Sequence, residues 1–361
     1  MPAFNGQLRS NEIFAALYNM IISQQVFADN IYDTKASLLD MSRVDGSLYG
    51  DTKLYYSTDV LKSAPWGNDA EAANLLNLYR PDAPEVQAIY LDVFRQICLT
   101  VDNYLSKRAW STEGAFSEFN SVMLGWIRDT KRVYDSTLFN AYVGTAESNV
   151  GEQEVTINIG TAPTDASELE SYNRLAAQKI AQEMANLMVS LEDVTRDYND
   201  YGNLRSYNSD SLIAVWNSDW VNKITRVDTP TIYHKDSALA DKFGEYTLPP
   251  RYFGTVNTSA GSGDGTTIRS LVEKDYGSTH CFPGDLVPSG EAYLANETYT
   301  VDPTIAFKIM HKKSVPYMSA FEVGTSFFNP KSLTETHYLT FGHNTLEYLK
   351  NYPFITVRVT A

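Results

Sequence analysis

The chain has 361 residues, 43 % of them hydrophobic and 20 % charged, enough for a sizeable core or two lobes and too apolar for wholesale disorder. Its net charge is −15, from 29 basic and 44 acidic residues. With His311-Lys312-Lys313 as the densest basic stretch, tight phosphate binding through a clustered Lys/Arg surface is argued against, and adhesion to polyanions is disfavoured.

In chain order, Ser10 is placed to cap a helix over 10–28, where Ile13, Phe14, Leu17, Tyr18, Ile21, Ile22 and Val26 recur at helical spacing. The stripe is one-sided, so it must dock elsewhere in the fold or on another subunit. Residues 45–61 carry turn formers and then a β-rich run, followed by a polar tip from Lys62 to Pro84. Beyond it Ile89, Leu91, Val93, Ile97, Leu99 and Val101 alternate with Tyr90, Asp92, Gln96, Thr100 and Asp102, the period of a strand. Such a run exceeds the usual ~3–10 residues. Two extended runs and a wide tip predict a protruding β-hairpin rather than a compact sheet. Cys98 within this strand is expected to be a small buried thiol.

The spacing of Phe116, Phe119, Val122, Met123, Trp126, Ile127, Val133, Tyr134, Leu138 and Tyr142 predicts a long helix over 112–144. Val155, Ile157 and Ile159 predict a short strand. Asp165, with Glu168 three residues on, opens a third helix that runs through Leu191. Residues 211–224 read as a buried strand leading into a short helix. Residues 254–267 read as a loop, and Ile305–Met310 and Phe354–Val359 as strands.

None of the familiar catalytic or metal-binding motifs is present. Gly261 to Gly265 is followed by Thr266 and Thr267 instead of the lysine a P-loop needs. His337 and His343 lie six apart, and His280 adjoins Cys281, without zinc-ligand spacing. Asp197, Asn199, Asp200 and Asn203 lack the spacing of a calcium loop. No G-x-S-x-G occurs. No catalytic residue, cofactor or metal is therefore expected. No run reaches the ~18 apolar residues of a membrane span, and MPAFNGQLRSNEIF lacks the pattern of a secretory signal. Assembly in a cytoplasm is expected, with the sequons at Asn257 and Asn296 as chance matches.

The stretches SRVDGSLYGDTKLYYSTDVL and PEVQAIYLDVFRQICLTVDNYLSKRAWSTEGAFSEFNSVMLGW resemble the extended loop and spine helix of tailed-phage major head proteins. IAFKIMHKKSVPYMSAFEVGTSFFNPKSLTETHYLTFGHNTLEYL resembles their C-terminal part. The resemblance covers about half the chain; over 145–300 only the order of elements matches. It implies an α+β fold of the Hong Kong 97 type. Residues 1–45 would be an N-terminal arm and 46–102 an extended loop lying across a neighbouring subunit. Residues 103–159 and 321–361 would form a peripheral domain with spine helix 112–144, and 160–320 an axial domain.

By the same resemblance the chain is a virion shell protein, assembled as hexamers and pentamers in the host bacterial cytoplasm around double-stranded DNA that it touches non-specifically. A separate scaffolding protein is expected, because Met1 starts directly at the arm, together with a portal complex; no membrane partner is implied. Expected subunit contacts are Tyr55, Tyr56, Tyr90, Leu91, Val93, Phe94, Phe14 and Leu17. Leu91→Asp or Val93→Asp is expected to spare the fold and impair assembly. The alternatives are an encapsulin-type compartment shell and, given the 24 Tyr and 5 Trp, a carbohydrate-binding or carbohydrate-active phage protein.

Overall fold

The computed structural model describes residues 36–46, 51–63, 78, 80–102, 113–223, 244–258, 274–276, 279–281 and 297–360. The chain begins with α1 (Ala36–Ser42), β1 (Arg43–Asp45), β2 (Thr52–Ser57), β3 (Glu85–Asp102) and the long helix α2 (Glu113–Thr145). β4 (Glu154–Asn158), α3 (Ala166–Glu192), β5 (Leu212–Asn217), β6 (Gly244–Leu248) and β7 (Gly254–Thr258) follow. Next come β8 (Lys274–Tyr276), β9 (Thr279–Cys281) and β10 (Glu297–Val301). The last strands are β11 (Ile305–His311), β12 (Tyr317–Asn329), β13 (Thr334–Asn344) and β14 (Phe354–Thr360).

Two five-stranded sheets organise the molecule. The first has the order β4-β14-β11-β5-β6. Its central strands are buried throughout, from Leu212 to Asn217 and from Ile305 to Met310. Unbroken burial of this kind marks a sheet covered on both faces. α3 covers one face with Ala176, Ala177, Ile180, Met184, Leu187 and Leu191, the helical spacing read from the sequence. Its N-terminus is where Asp165 was expected to place it, and the Asp165 carboxylate accepts the Ser167 N–H at 3.2 Å.

The end of α2 covers the other face. Residues 134–144 are buried on all sides, because α1, the 252–253 turn, β14 and the second sheet close around them with Leu38, Leu39, Phe253, Tyr317, Phe341 and Phe354. The sequence stripe predicted only one buried face. Polar groups here satisfy one another. The Tyr317 hydroxyl donates to Asp135 at 2.6 Å, and Lys131 binds the other Asp135 oxygen at 2.9 Å. Tyr134 meets His343 at 2.9 Å. Gly144 is required by close approach, since a Cβ there would lie 1.8 Å from the Tyr252 carbonyl oxygen.

The second sheet, β1-β12-β13-β3-β2, takes in part of the segment expected as a protruding hairpin. β3 pairs with β2 only from Glu85 to Tyr90; from Leu91 to Asp102 it pairs with β13. β12 and β13 form a long hairpin turning at 330–333, with Leu333 at φ 55, and the strand assignments made from the sequence did not include it. Two further corrections follow. Cys98 is exposed, because the pleat that sends Ile97 and Leu99 toward the core turns it outward. Gly254–Thr258, expected as loop, is a strand paired with β10. The strand and short helix expected over 211–224 are present, the helix spanning 218–223. Residues 10–28 and 261–265 lie outside the described residues. No helix among the described residues is long and apolar enough to cross a membrane.

Candidate assembly surface

Pairing of β2 with β3 sets Thr52 opposite Tyr90, Leu54 opposite Ala88 and Tyr56 opposite Val86. Directly opposed residues share a face, so Leu54, Tyr56, Val86 and Tyr90 stand together. They are 51, 64, 48 and 59 % exposed, a contiguous apolar patch on a two-stranded ribbon. Water contact at such a patch is unfavourable, by about 25 cal/mol per Å² of apolar surface. The patch is the kind of surface that marks a protein–protein contact.

The reverse face of the same ribbon points inward. Ile89, Leu91 and Val93 are buried, Leu91 against Met318 with half-buried Phe94 beside them. Leu91 and Val93, expected as subunit contacts, are therefore core residues of their own chain. β12 and β13 lie beside β3 in the same sheet, and Met318 of β12 packs against Leu91 on the face they share. Tyr55 lies on this inner side, half-buried near Tyr352, and burial pushes its phenol up. Of the expected contacts, Tyr56 and Tyr90 lie on the same exposed face. Phe14 and Leu17 lie outside the described residues. Leu54 and Val86 were missed, although their alternation with Tyr56 and Tyr90 across a pair of strands was the signal to follow.

The far end of the ribbon is pinned. The Ser57 hydroxyl donates to Asn351 at 2.7 Å and accepts from Asn203 at 2.8 Å. Asp59 accepts the Leu204 N–H at 3.0 Å and pairs with Arg196 at 2.7 Å. The Leu204 N–H, Arg196 and the Val60 N–H together hold the Asp59 carboxyl at about 2. Residues 196–205 thus serve as an anchor. Asn199 clasps the Asn203 backbone at 2.7 and 2.9 Å, and Asp200 accepts from Ser148 and Gln153, each at 3.0 Å, and from the Tyr348 hydroxyl. These side chains are engaged in joining loops. Among the described residues no group of three or more His, Cys, Asp or Glu could hold a metal ion.

A second exposed region is the β12–β13 hairpin, where Val323, Phe327, Phe328 and Leu333 are 40, 62, 49 and 40 % exposed. A groove of about 510 Å³ runs between this hairpin and α2, lined by Ile127, Arg128, Ser326 and His337 among others. Wide and open, it offers no enclosed cavity for a small substrate.

The sequence profile of the Phi29-like phage major capsid protein family matches residues 5–357. No curated protein matches the chain. Among solved structures, a chain from the head fibre and inner core protein gp22 structure of native bacteriophage P68 superposes with a TM-score of 0.64 at 10 % identity, covering 94 % of this chain and 87 % of that one. The capsid structure of Staphylococcus phage Andhra gives a TM-score of 0.63 at 10 % identity, covering 100 % of this chain and 95 % of its own. At that identity the likeness is one of fold. With a profile match across nearly its whole length, the chain belongs to the Phi29-like phage major capsid protein family and is a self-assembling subunit of an icosahedral phage head.

Proposed function

We propose that the β2–β3 ribbon is the segment each subunit lays on its neighbour, and that copies close into hexamers and pentamers through it. The observation that carries this reading is the exposed face of Leu54, Tyr56, Val86 and Tyr90. A heterologous contact of this kind generates closed rings and shells, and repetition over many copies makes a modest contact sufficient.

On this reading residues 46–102 act as the extended loop and 1–45 as an arm. Residues 103–159 with 321–361 form the peripheral domain around the spine helix, and 160–320 the axial domain. Support comes from the resemblance to head proteins and from the separation of α2 and α3 onto opposite faces of one sheet. The remaining partners, carried by the same resemblance, are a separate scaffolding protein, a portal complex and packaged DNA met without sequence preference. The host bacterial cytoplasm is the place of assembly. A shell role needs no catalytic chemistry.

The test is the double variant Tyr56→Asp/Val86→Asp. Both side chains are exposed, so circular dichroism and thermal melting should match the parent. Sedimentation velocity should show subunits or small oligomers under conditions where the parent forms particles. Particles of normal size from a folded double variant would remove the ribbon from the contact.

A further inference from the structure

The outer face of the β12-β13-β3 sheet carries a second pattern. Val323, Thr325 and Phe327 stand opposite Thr340, Tyr338 and Thr336. Gln96, Cys98 and Thr100 on β3 complete the three rows. None of these nine residues is charged, on a chain with 73 charged side chains (29 basic plus 44 acidic). The polar groups are turned toward one another. Gln96 donates to the Thr340 hydroxyl at 3.0 Å, and the Thr100 and Thr336 hydroxyls meet at 3.0 Å. A face on which Gln96, Thr340, Thr100 and Thr336 are already paired loses less on leaving water, and depletion of charge is what distinguishes the core of a protein–protein contact. Phe327, 62 % exposed, and Val323, 40 % exposed, add apolar surface at its rim.

We infer that this uncharged sheet face is a second contact between copies of this chain, separate from the β2–β3 ribbon. Electrostatics selects the occupant. Every copy carries −15, so charged faces repel when subunits crowd into a shell, and copies approach at least cost where charge is missing. The dimensions agree. Three strands of five residues cover roughly 240 Å², one modest patch among the several that a shell subunit shares, below the ~800 Å² per partner of a stand-alone complex. Among the described residues β12 beyond Ser319 and β3 beyond Leu91 are each paired on one edge only, so a neighbour can approach the face from either side.

Cys98 reports on this face directly. It is exposed in the single subunit and lies opposite Tyr338 in the middle row. Maleimide labelling, with each cysteine quantified by peptide mass spectrometry, is compared between dissociated subunits and particles containing only this chain. Labelling of Cys98 should slow by about tenfold or more in particles, as expected for a site from which water is excluded. Equal rates would overturn the inference. Two variants provide the second arm: Thr325→Glu and Thr325→Lys should both impair assembly without altering the melting temperature, because a buried charge of either sign is costly. A Glu-only effect would reduce the result to net charge and also count against the contact. The inference rests on the chain being a shell subunit. Failure of the parent chain to form any particle, even with its scaffolding protein supplied, would strike at that reading, whereas particles with a reactive Cys98 would strike at this contact alone.

Discussion

Lys308 is the residue on which the two halves of the core meet. It sits fully buried at the centre of β11, and its Nζ donates to the Ala146 carbonyl, just past the end of α2, at 2.6 Å. A cation at that position favours a helix C-terminus, yet burial pushes the ammonium down to about 7, with Glu147 and Asp302 opposing that shift and Arg358 adding to it. The unfolded chain holds the same proton up to about pH 10.4. Between those values the unfolded state binds more protons, so stability rises with pH from about 7 to 10, by at most ~1.4 kcal/mol per unit, and is lost as pH falls back through 7. Urea denaturation at several pH values should show this slope in the parent and not in Lys308→Met. Identical slopes would mean that the lysine titrates as it does in water. Gly144→Ala addresses the same junction by sterics. The added methyl meets the Tyr252 backbone, which cannot rotate away, and a loss of about 2–4 kcal/mol in denaturant midpoint analysis is expected.

At the scale of elements, much was legible because local periodicity and core packing agree. α2 and α3 follow the spacing of Tyr134, Leu138, Tyr142, Ile180, Met184 and Leu187, and β3 follows the alternation of Ile89, Leu91 and Val93, all of which are buried. What the sequence hid is which surface lies under each face. Alternation marked Leu91 and Tyr90 as facing opposite ways, and nothing local reveals that β12 and β13 return from more than 200 residues away to extend the sheet beside β3 and set Met318 against Leu91. β12 itself was obscured because residues 323–329 are exposed on both faces, so no apolar alternation survives there to signal a strand. Leu91→Asp therefore has the opposite consequence from the one its hairpin position implied. An unpaired carboxylate beside Met318 should cost about 3 kcal/mol or more, read as a lower melting temperature or loss of soluble subunit. A stable, folded Leu91→Asp subunit would contradict the burial of Leu91. The exposed Tyr56 and Val86 carry the assembly phenotype instead.

At the scale of the whole molecule, two sheets share one buried helix end, and both the β2–β3 ribbon and the β12–β13 hairpin carry exposed apolar side chains. A subunit built this way is complete in its core and incomplete at its extensions, which matches a shell protein. The net charge of −15 fits the same picture, keeping free subunits soluble and apart until apolar and uncharged faces are brought together. The most direct measurement is a reconstruction of the assembled particle by electron cryomicroscopy at side-chain resolution. Leu54, Tyr56, Val86 and Tyr90 should lie in contact with a neighbouring copy. A shell in which that face stands open to solvent, with subunits joined elsewhere, would contradict it.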